Sequence, residues 1–165
     1  MKNLVSIERL KFILEYHSDG YFIRKSKVNR NTIIGSKAGY IRDNGYVVVR
    51  VDNVDYLEHR LVWFYMTGEW PKENIDHIDL NKTNNRFDNL REASPTENNF
   101  NCVARKTSKS GFKGIRLFKG KYRVRITINN KEIYIGSFLS LEEAIAARNA
   151  KGLEIGGVYY RPDNI

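Results

Sequence analysis

The stretch ENIDHIDLNKTNNRFDNLREASPTENNFN, residues 73–101, constrains the fold more than any other part of the chain. The order Ile75-Asp76-His77-Ile78 predicts a short strand, and the polar segment 80–89 predicts a loop. Segment 90–94 predicts a second short strand. Ser94-Pro95-Thr96-Glu97 is a strong helix start, with a capping Ser, Pro at the first helical position and Glu at the third. The sequence therefore predicts strand, loop, strand and helix in that order.

Two interpretations of this block are open, because asparagine-rich loops are usually only turns. In the first, Asp76 and His77 form an ion pair or a capped turn. In the second, Asp76 and Asn98 supply the oxygen ligands that Mg²⁺ prefers. His77, on the opposite strand face, then acts as a general base if another group fixes its tautomer. Asn89 is suited to hold the loop through side-chain-to-backbone hydrogen bonds.

The block closely resembles the HNH endonuclease motif, in the form found in phage homing endonucleases. The resemblance implies a ββα-metal fold in which His77 activates water for phosphodiester hydrolysis. It implies that Asp76 and Asn98 bind a single Mg²⁺ or Mn²⁺ ion and that Asn89 is the middle asparagine holding the loop. The motifs that carry it are His59-Arg60-Leu61-Val62, Asp76-His77-Ile78-Asp79, Asn84-Asn85-Arg86, Asn89-Leu90-Arg91 and Glu97-Asn98.

Several positions near this motif need a separate interpretation. Leu80 stands where relatives often have Gly, which predicts an altered loop turn but not loss of the site. Asn84 and Asn85 are expected to serve the turn. His59 lies at a predicted helix start beside Arg60, and we interpret it as structural or DNA-facing rather than catalytic.

The first half of the chain also contains ordinary helix and strand patterns. Residues 6–17, SIERLKFILEYH, predict a helix capped by Ser6, and YFIRK predicts a strand. Residues 38–52 predict a hairpin around Asn44-Gly45, a preferred pair for tight turns. Residues 57–68 predict a second helix that ends at Gly68.

The positive charge lies almost entirely in the last two-fifths of the chain. The formal net charge is +9, and residues 102–165 hold 13 Lys and Arg against 5 Asp and Glu. Residues 102–112 predict a basic linker. Three strands in meander spacing follow, and Ser140 with Glu143 forms a capping box for a final helix rich in alanine. A local basic excess is typical of proteins that bind nucleic acid, although it is also compatible with a solvated surface.

Residues 113–165 resemble the plant ethylene-response-factor domain of the APETALA-two type. The shared elements are Gly114-Ile115-Arg116, Gly120-Lys121-Tyr122, Tyr134-Ile135-Gly136-Ser137-Phe138 and the Glu142-Glu143-Ala144 helix start. The resemblance implies a three-stranded antiparallel sheet packed on one helix, with the sheet in the DNA major groove. Thr127 and Glu132 stand where plant members often have Arg, so the target sequence does not transfer.

Side-chain alternation along KYRVRITI predicts the same arrangement independently. One strand face is cationic, and the other can bury apolar residues against the helix. A ribbon of two or three strands fits the major groove, where Arg can pair with guanine and Lys meets phosphate. The candidate DNA-binding residues are Lys113, Arg116, Lys121, Arg123, Arg125, Thr127 and Tyr134.

Together these patterns predict an α+β protein with three parts. Residues 1–101 form an HNH endonuclease region with its core motif at 57–101, 102–112 a linker, and 113–165 the DNA-binding domain. We expect a phage-encoded, site-specific nicking or homing enzyme that leaves 5′ phosphate and 3′ hydroxyl. Its partner is double-stranded DNA, and we expect a monomer with no obligate protein partner, acting in the cytoplasm of a bacterial host cell. The single cysteine excludes an internal disulfide framework. The sequence has no apolar run long enough for a membrane span, and its first residues lack the pattern of a secretion signal.

Two rival functions stay open at this stage. The first is a regulator-like DNA-binding protein on an inactive HNH scaffold. The second is an RNA-binding protein that uses the same basic sheet. Metal-dependent cleavage separates the nuclease from both rivals, and competition between duplex DNA and RNA separates the second.

Overall fold

The computed structural model describes residues 4–104 and 108–163. The chain divides into two compact units, Met1–Glu92 and Ala93–Ile165. Both units mix helices with small antiparallel sheets, so the expected α+β class is confirmed at this coarse level. None of the described helices is long and apolar enough to cross a membrane.

The first unit contains two short helices and three small sheets. One sheet pairs β1 with β2, the second has the order β3-β4-β5, and the third pairs β6 with β7. The pairs in the first two sheets are antiparallel. The elements are α1 (Ile7–Ile13), β1 (Leu14–His17), β2 (Tyr21–Arg24), β3 (Tyr40–Ile41), β4 (Val47–Val51), β5 (Val54–Leu57), α2 (Glu58–Thr67), β6 (Asn74–His77), a 3₁₀ turn (Phe87–Asn89) and β7 (Leu90–Ala93).

The helix predicted over residues 6–17 is wrong in its second half. Ser6 caps α1 by accepting a hydrogen bond from the Arg9 backbone, as expected, but the helix ends at Ile13. The next four residues form β1 and pair with β2, with Leu14 opposite Arg24. Leu14 is buried, and an apolar pattern this short does not distinguish a helix from a buried strand.

The hairpin predicted around Asn44-Gly45 joins β3 to β4 and is confirmed. A second hairpin, between β4 and β5, turns at Asp52-Asn53, and both residues have positive φ angles of 46° and 63°. This turn was not predicted from the sequence, because Asp-Asn is a weaker hairpin signal than Asn-Gly. The resulting three-stranded sheet buries Val48 and Val49.

Helix α2 and the pair β6–β7 position the candidate site. Helix α2 ends at Gly68 in the left-handed conformation, as predicted. The guanidinium of Arg60 donates hydrogen bonds to the carbonyl oxygens of Glu73 (3.2 Å) and Pro71 (3.1 Å). These bonds tie α2 to the segment that leads into β6. The predicted strands around Asp76-His77 and in segment 90–94 are confirmed as β6 and β7.

The second unit is a three-stranded antiparallel sheet with a long helix packed on it. The sheet has the order β10-β9-β8, and Val124 and Ile126 of the middle strand are buried. Capping boxes at Ser94 and Ser140 begin the two helices, as the sequence predicts. The elements are α3 (Pro95–Phe100), β8 (Ile115–Phe118), β9 (Lys121–Ile128), β10 (Lys131–Phe138), α4 (Leu141–Gly156) and a 3₁₀ turn (Gly157–Tyr159).

The structural division falls nine residues before the functional boundary that the sequence predicts after residue 101. Helix α3 belongs to the second unit because Phe100 packs with Tyr160 and Ile126 in a buried cluster. Residues 105–107 of the predicted linker lie outside the described residues. The assignment of separate functions to 1–101 and 113–165 stays a prediction.

The turn between β1 and β2 presses closely against the loop that precedes β7. Gly20 has φ +87°, and a Cβ atom there would meet the Arg86 nitrogen at 2.4 Å and the Asn85 carbonyl carbon at 2.6 Å. The Tyr16 hydroxyl accepts a hydrogen bond from the Phe87 backbone at 2.9 Å. This hairpin therefore holds the backbone around Asn85 in place.

We expect Gly20→Ala to destabilise the protein more than Gly35→Ala does. Gly35 has a similar φ of +82° but no neighbour within 4 Å, so its substitution adds only backbone strain of about 1–2 kcal/mol. At Gly20 the steric overlap adds roughly 1–3 kcal/mol more. Urea denaturation of both variants measures the difference. Equal losses would mean that the close approach of the turn to Asn85 contributes nothing to stability.

Candidate active site

Strand β6 carries the two candidate residues at its end, and both are buried. Asp76 and His77 are each 5 % exposed. One Asp76 carboxylate oxygen, Oδ2, accepts hydrogen bonds from Arg91 Nε at 3.0 Å and a terminal nitrogen at 2.9 Å. Arg91 lies on β7, so this ion pair links the two strands across their side chains. A buried carboxylate needs such a partner, because removing an unpaired charge from water is costly.

His77 belongs to a chain of buried polar side chains. Its Nε2 atom is 2.9 Å from Asn85 Oδ1. The Nδ2 atom of Asn85 donates to Glu58 Oε2 at 2.7 Å, and the other Glu58 oxygen accepts from the Phe22 backbone at 3.3 Å. Asn85 is 0 % and Glu58 1 % exposed. Residues from β2, α2, β6 and the loop after β6 therefore meet at one hydrogen-bonded cluster, which we call the His77 cluster.

Burial and hydrogen bonding act in opposite directions on Glu58. Burial raises the pKa of its carboxyl group, whereas the hydrogen bonds from Asn85 and the Phe22 backbone, with the charge of Lys37, lower it. The net direction is upward. The two donors supply the compensation that a buried carboxylate requires.

His59 packs against the His77 cluster without joining its hydrogen bonds. Its ring centroid lies 5.0 Å from that of His77 with the planes at 82°, and Tyr46 contacts both rings. Burial, followed by the charges of His77 and Arg60, lowers the pKa of His59 to about 3. The ring is 4 % exposed, which favours the structural interpretation of His59 over a DNA-facing one.

Both the oxygen and the nitrogen of the Asn89 side chain form hydrogen bonds within the loop between β6 and β7. Its side-chain oxygen accepts from the Asp79 backbone at 3.1 Å. Its nitrogen donates to the Asp79 carboxylate at 2.9 Å and to the Asn84 carbonyl at 2.8 Å. Leu80 adopts φ +68° in this loop. Leu80 therefore adopts the left-handed backbone conformation that glycine favours, which strains the backbone.

Among the described residues, the candidate metal ligands, Asp76 and Asn98, are not part of a metal-binding cluster of His, Cys, Asp and Glu side chains. Across residues 4–104 and 108–163, no three His, Cys, Asp or Glu side chains group closely enough to hold a metal ion. An Asp carboxylate with an Asn amide would instead supply the sparse oxygen set that suits Mg²⁺, which keeps several waters. Asn98 lies half-buried on α3 in the second unit, and its pairing with Asp76 stays a prediction.

In the second unit, the exposed sheet face carries most of the candidate DNA-binding residues. Arg116 on β8 lies opposite Arg123 on β9, and the Arg123 guanidinium stands 3.8 Å from the Phe118 ring centroid. Arg125 forms an ion pair with Glu132 at 2.5 Å. A cavity of about 320 Å³ is lined in part by all three arginines. Arg123 and Arg125 therefore have partners within the second unit that orient them.

The other candidates in this unit differ in their surroundings. Lys121, Thr127 and Tyr134 are exposed, and the Tyr134 hydroxyl lies 2.8 Å from Ser137 Oγ. Lys113 is half-buried, and its ammonium donates to the Asn99 carbonyl oxygen. Burial, then repulsion from Arg148, lowers the pKa of Lys113. Lys113 thus packs against the protein as well as carrying charge.

Two residues of the His77 cluster were not recognised as functional candidates in the sequence. Asn85 was expected to serve the turn, yet its side chain is fully buried between His77 and Glu58. Its place in the Asn84-Asn85-Arg86 motif was the available signal. Glu58 gave none, because an acidic residue in the first turn of a helix is ordinarily explained by the helix dipole.

Comparison with known proteins places the chain beside viral proteins. Residues 56–100 match the family model described as HNH endonuclease. A protein of Acanthamoeba polyphaga mimivirus is 30% identical to this chain over 136 residues, covering 81% of this chain and 70% of that protein. It is named Uncharacterized HNH endonuclease L560. Protein 3.8 of Escherichia phage T7 is 40% identical over 77 residues, covering 45% of this chain and 64% of that protein. No solved structure matches the chain.

We expect the loop from Asp79 to Asn89 to loosen in acid. Burial opposes ionisation of Asp79, but hydrogen bonds from Asn84, Asn89 and the Asn81 backbone outweigh it and lower its pKa below the ordinary value of an aspartate. A depressed pKa in the folded state stabilises the loop fully above the unfolded value, and this contribution is lost as pH falls through the folded value. Hydrogen exchange of the loop amides against pH measures the effect.

Asp79→Asn should remove this pH dependence, whereas Asp43→Asn, at an exposed carboxylate of the same unit, should keep it. An acid transition that is unchanged in Asp79→Asn would assign it to another group.

Proposed function

Because the chain belongs to the HNH endonuclease family, we propose that it is a metal-dependent DNA endonuclease whose general base is His77. The observation that carries this proposal is the position of His77, buried at the end of β6 beside Asp76 and hydrogen-bonded through Nε2 to Asn85 at 2.9 Å. A general base needs an oriented ring, and this contact orients it.

The reaction is hydrolysis of a phosphodiester bond. His77 takes a proton from a water molecule, and the oxygen of that water forms a bond to phosphorus in line with the leaving group. The bond between phosphorus and the 3′ oxygen breaks, and the 3′ oxygen gains a proton from solvent. The products carry a 5′ phosphate and a 3′ hydroxyl.

Asp76 and Asn98 are the residues that would hold the divalent cation, Mg²⁺ or Mn²⁺. When bound, such an ion stabilises the charge that develops on the phosphate and the leaving oxygen. Arg91 holds the Asp76 carboxylate at the end of β6, and Asn89 holds the loop that follows. These contacts limit the movement of the candidate groups before substrate arrives.

The second unit supplies affinity and position on double-stranded DNA through the exposed face of its sheet. Residues 102–165 carry 13 Lys and Arg against 5 Asp and Glu, which suits a polyanion. The resemblance of residues 113–165 to the plant DNA-binding domain supports a major-groove mode for this sheet. Since the matched relatives are viral, we further propose a viral nicking or homing role for the enzyme, acting as a monomer.

We expect the purified protein to relax or fragment supercoiled DNA in the presence of Mg²⁺ or Mn²⁺, and EDTA to stop it. His77→Ala should lower the cleavage rate by roughly 10²–10⁴-fold, the usual contribution of a general base. His17→Ala is the matched control, because His17 stacks on Tyr21 outside the His77 cluster. Gel analysis of nicked and linear products over time measures both rates.

Equal cleavage by wild type and His77→Ala would remove His77 from the mechanism. Absence of cleavage on DNA of the source genome, together with tight binding that weakens with salt, would favour the regulator-like alternative.

We expect Lys121→Ala to lower the salt dependence of DNA binding. Each phosphate contact adds about one unit to the slope of log affinity against log salt, so this variant should lose roughly one. Lys151→Ala removes the same charge from α4, where Lys151 pairs with Glu154, and should leave the slope unchanged. Fluorescence anisotropy over a salt series measures the slopes.

The same assay with duplex RNA as competitor tests the RNA-binding alternative. Stronger competition by RNA than by DNA would replace the proposed substrate. Equal slopes for Lys121→Ala and Lys151→Ala would mean that the exposed sheet face does not contact phosphates.

A further inference from the structure

The directions of the hydrogen bonds in the His77 cluster follow from the chemistry of its groups when Glu58 is ionised. An ionised carboxylate only accepts hydrogen bonds, so the Asn85 group that faces Glu58 at 2.7 Å must be its NH₂. The Asn85 side-chain oxygen must then face His77, at 2.9 Å. An amide oxygen also only accepts, so the His77 nitrogen opposite it, Nε2, must carry a hydrogen.

We infer that Glu58 and Asn85 are positioning residues that fix His77 in the tautomer with the proton on Nε2. The neutral ring then has its basic lone pair on Nδ1. Glu58 acts at a distance in this arrangement, because it touches Asn85 and not the histidine. The consequence for catalysis rests on the proposed function of His77, whereas the tautomer does not.

Burial makes this direction of hydrogen bonds hard to reverse. Glu58 and Asn85 are essentially inaccessible to solvent, and the second Glu58 oxygen is occupied by the Phe22 backbone N–H. Rotating the Asn85 amide would place its oxygen against a carboxylate oxygen and leave both without a donor. Water that would relieve this conflict at a surface has little access here.

The substitution Glu58→Gln reverses the chain of hydrogen bonds with little change in shape. The oxygen of the new amide has to face the Phe22 N–H, so its NH₂ group faces Asn85. Asn85 must then turn its oxygen toward that NH₂ and its own NH₂ toward His77. His77 Nε2 becomes an acceptor, and the proton moves to Nδ1.

The test uses the full chain labelled with ¹⁵N in histidine, since long-range ¹H–¹⁵N correlation spectra distinguish the two neutral tautomers. The chain has three histidines, and the spectrum of His77→Ala assigns the His77 signals. Spectra are recorded above neutral pH, because burial raises the pKa of Glu58 and its carboxylate must be ionised. Glu15→Gln, at an exposed position on β1, is the matched control.

We expect the Nε2–H pattern in wild type and Glu15→Gln and the Nδ1–H pattern in Glu58→Gln. DNA cleavage by Glu58→Gln should fall by up to roughly 10²–10⁴-fold, because the lone pair leaves Nδ1. An Nδ1–H pattern in wild type overturns the inference whether or not the variant folds. An unchanged Nε2–H pattern in folded Glu58→Gln overturns it as well.

The outcomes separate this inference from the proposed function. If the tautomers change as expected but wild type cleaves no DNA with any metal ion, the positioning by Glu58 and Asn85 stands and the nuclease assignment fails. If wild type cleaves DNA while its His77 carries the proton on Nδ1, the nuclease assignment stands and the positioning fails.

Discussion

The hydrogen bond between Glu58 and Asn85 is the contact on which the candidate site depends. A carboxylate with almost no solvent access is unstable without donors, and its donors come from β2 and from the loop before β7. Removing either donor leaves a buried charge only partly satisfied. The fold of the first unit is therefore coupled to the arrangement of the site, because the same bond serves both.

The loop between β6 and β7 gains its shape from several such contacts acting together. Gly20 approaches its backbone, the Tyr16 hydroxyl bonds it, and Asn89 spans it. Each of the hydrogen bonds adds only modestly to the free energy of unfolding, typically about 1 kcal/mol when both groups are neutral. Their combined effect is to hold Asn85 beside His77, where its side-chain oxygen lies 2.9 Å from the ring nitrogen Nε2.

Elements with local signals could be predicted from the sequence, and elements decided by distant contacts could not. The capping boxes at Ser94 and Ser140 and the stop at Gly68 act within a few residues, so their helices were predicted. The end of α1 at Ile13 is decided by pairing with β2, and the pattern up to His17 contained no sign of it. Asp76 and His77 were found through a motif, whereas Glu58 required knowledge of what α2 packs against.

The two units illustrate two ways of partnering polar side chains. In the first, the polar side chains of the His77 cluster are buried and hydrogen-bond one another, so their directions are fixed within the fold. In the second, Arg123 rests on Phe118 and Arg125 pairs with Glu132 at the surface. A surface ion pair contributes little and exchanges readily. Arg125 can therefore exchange Glu132 for another partner at small cost, whereas rotating the Asn85 amide would disrupt its bonds to both Glu58 and His77.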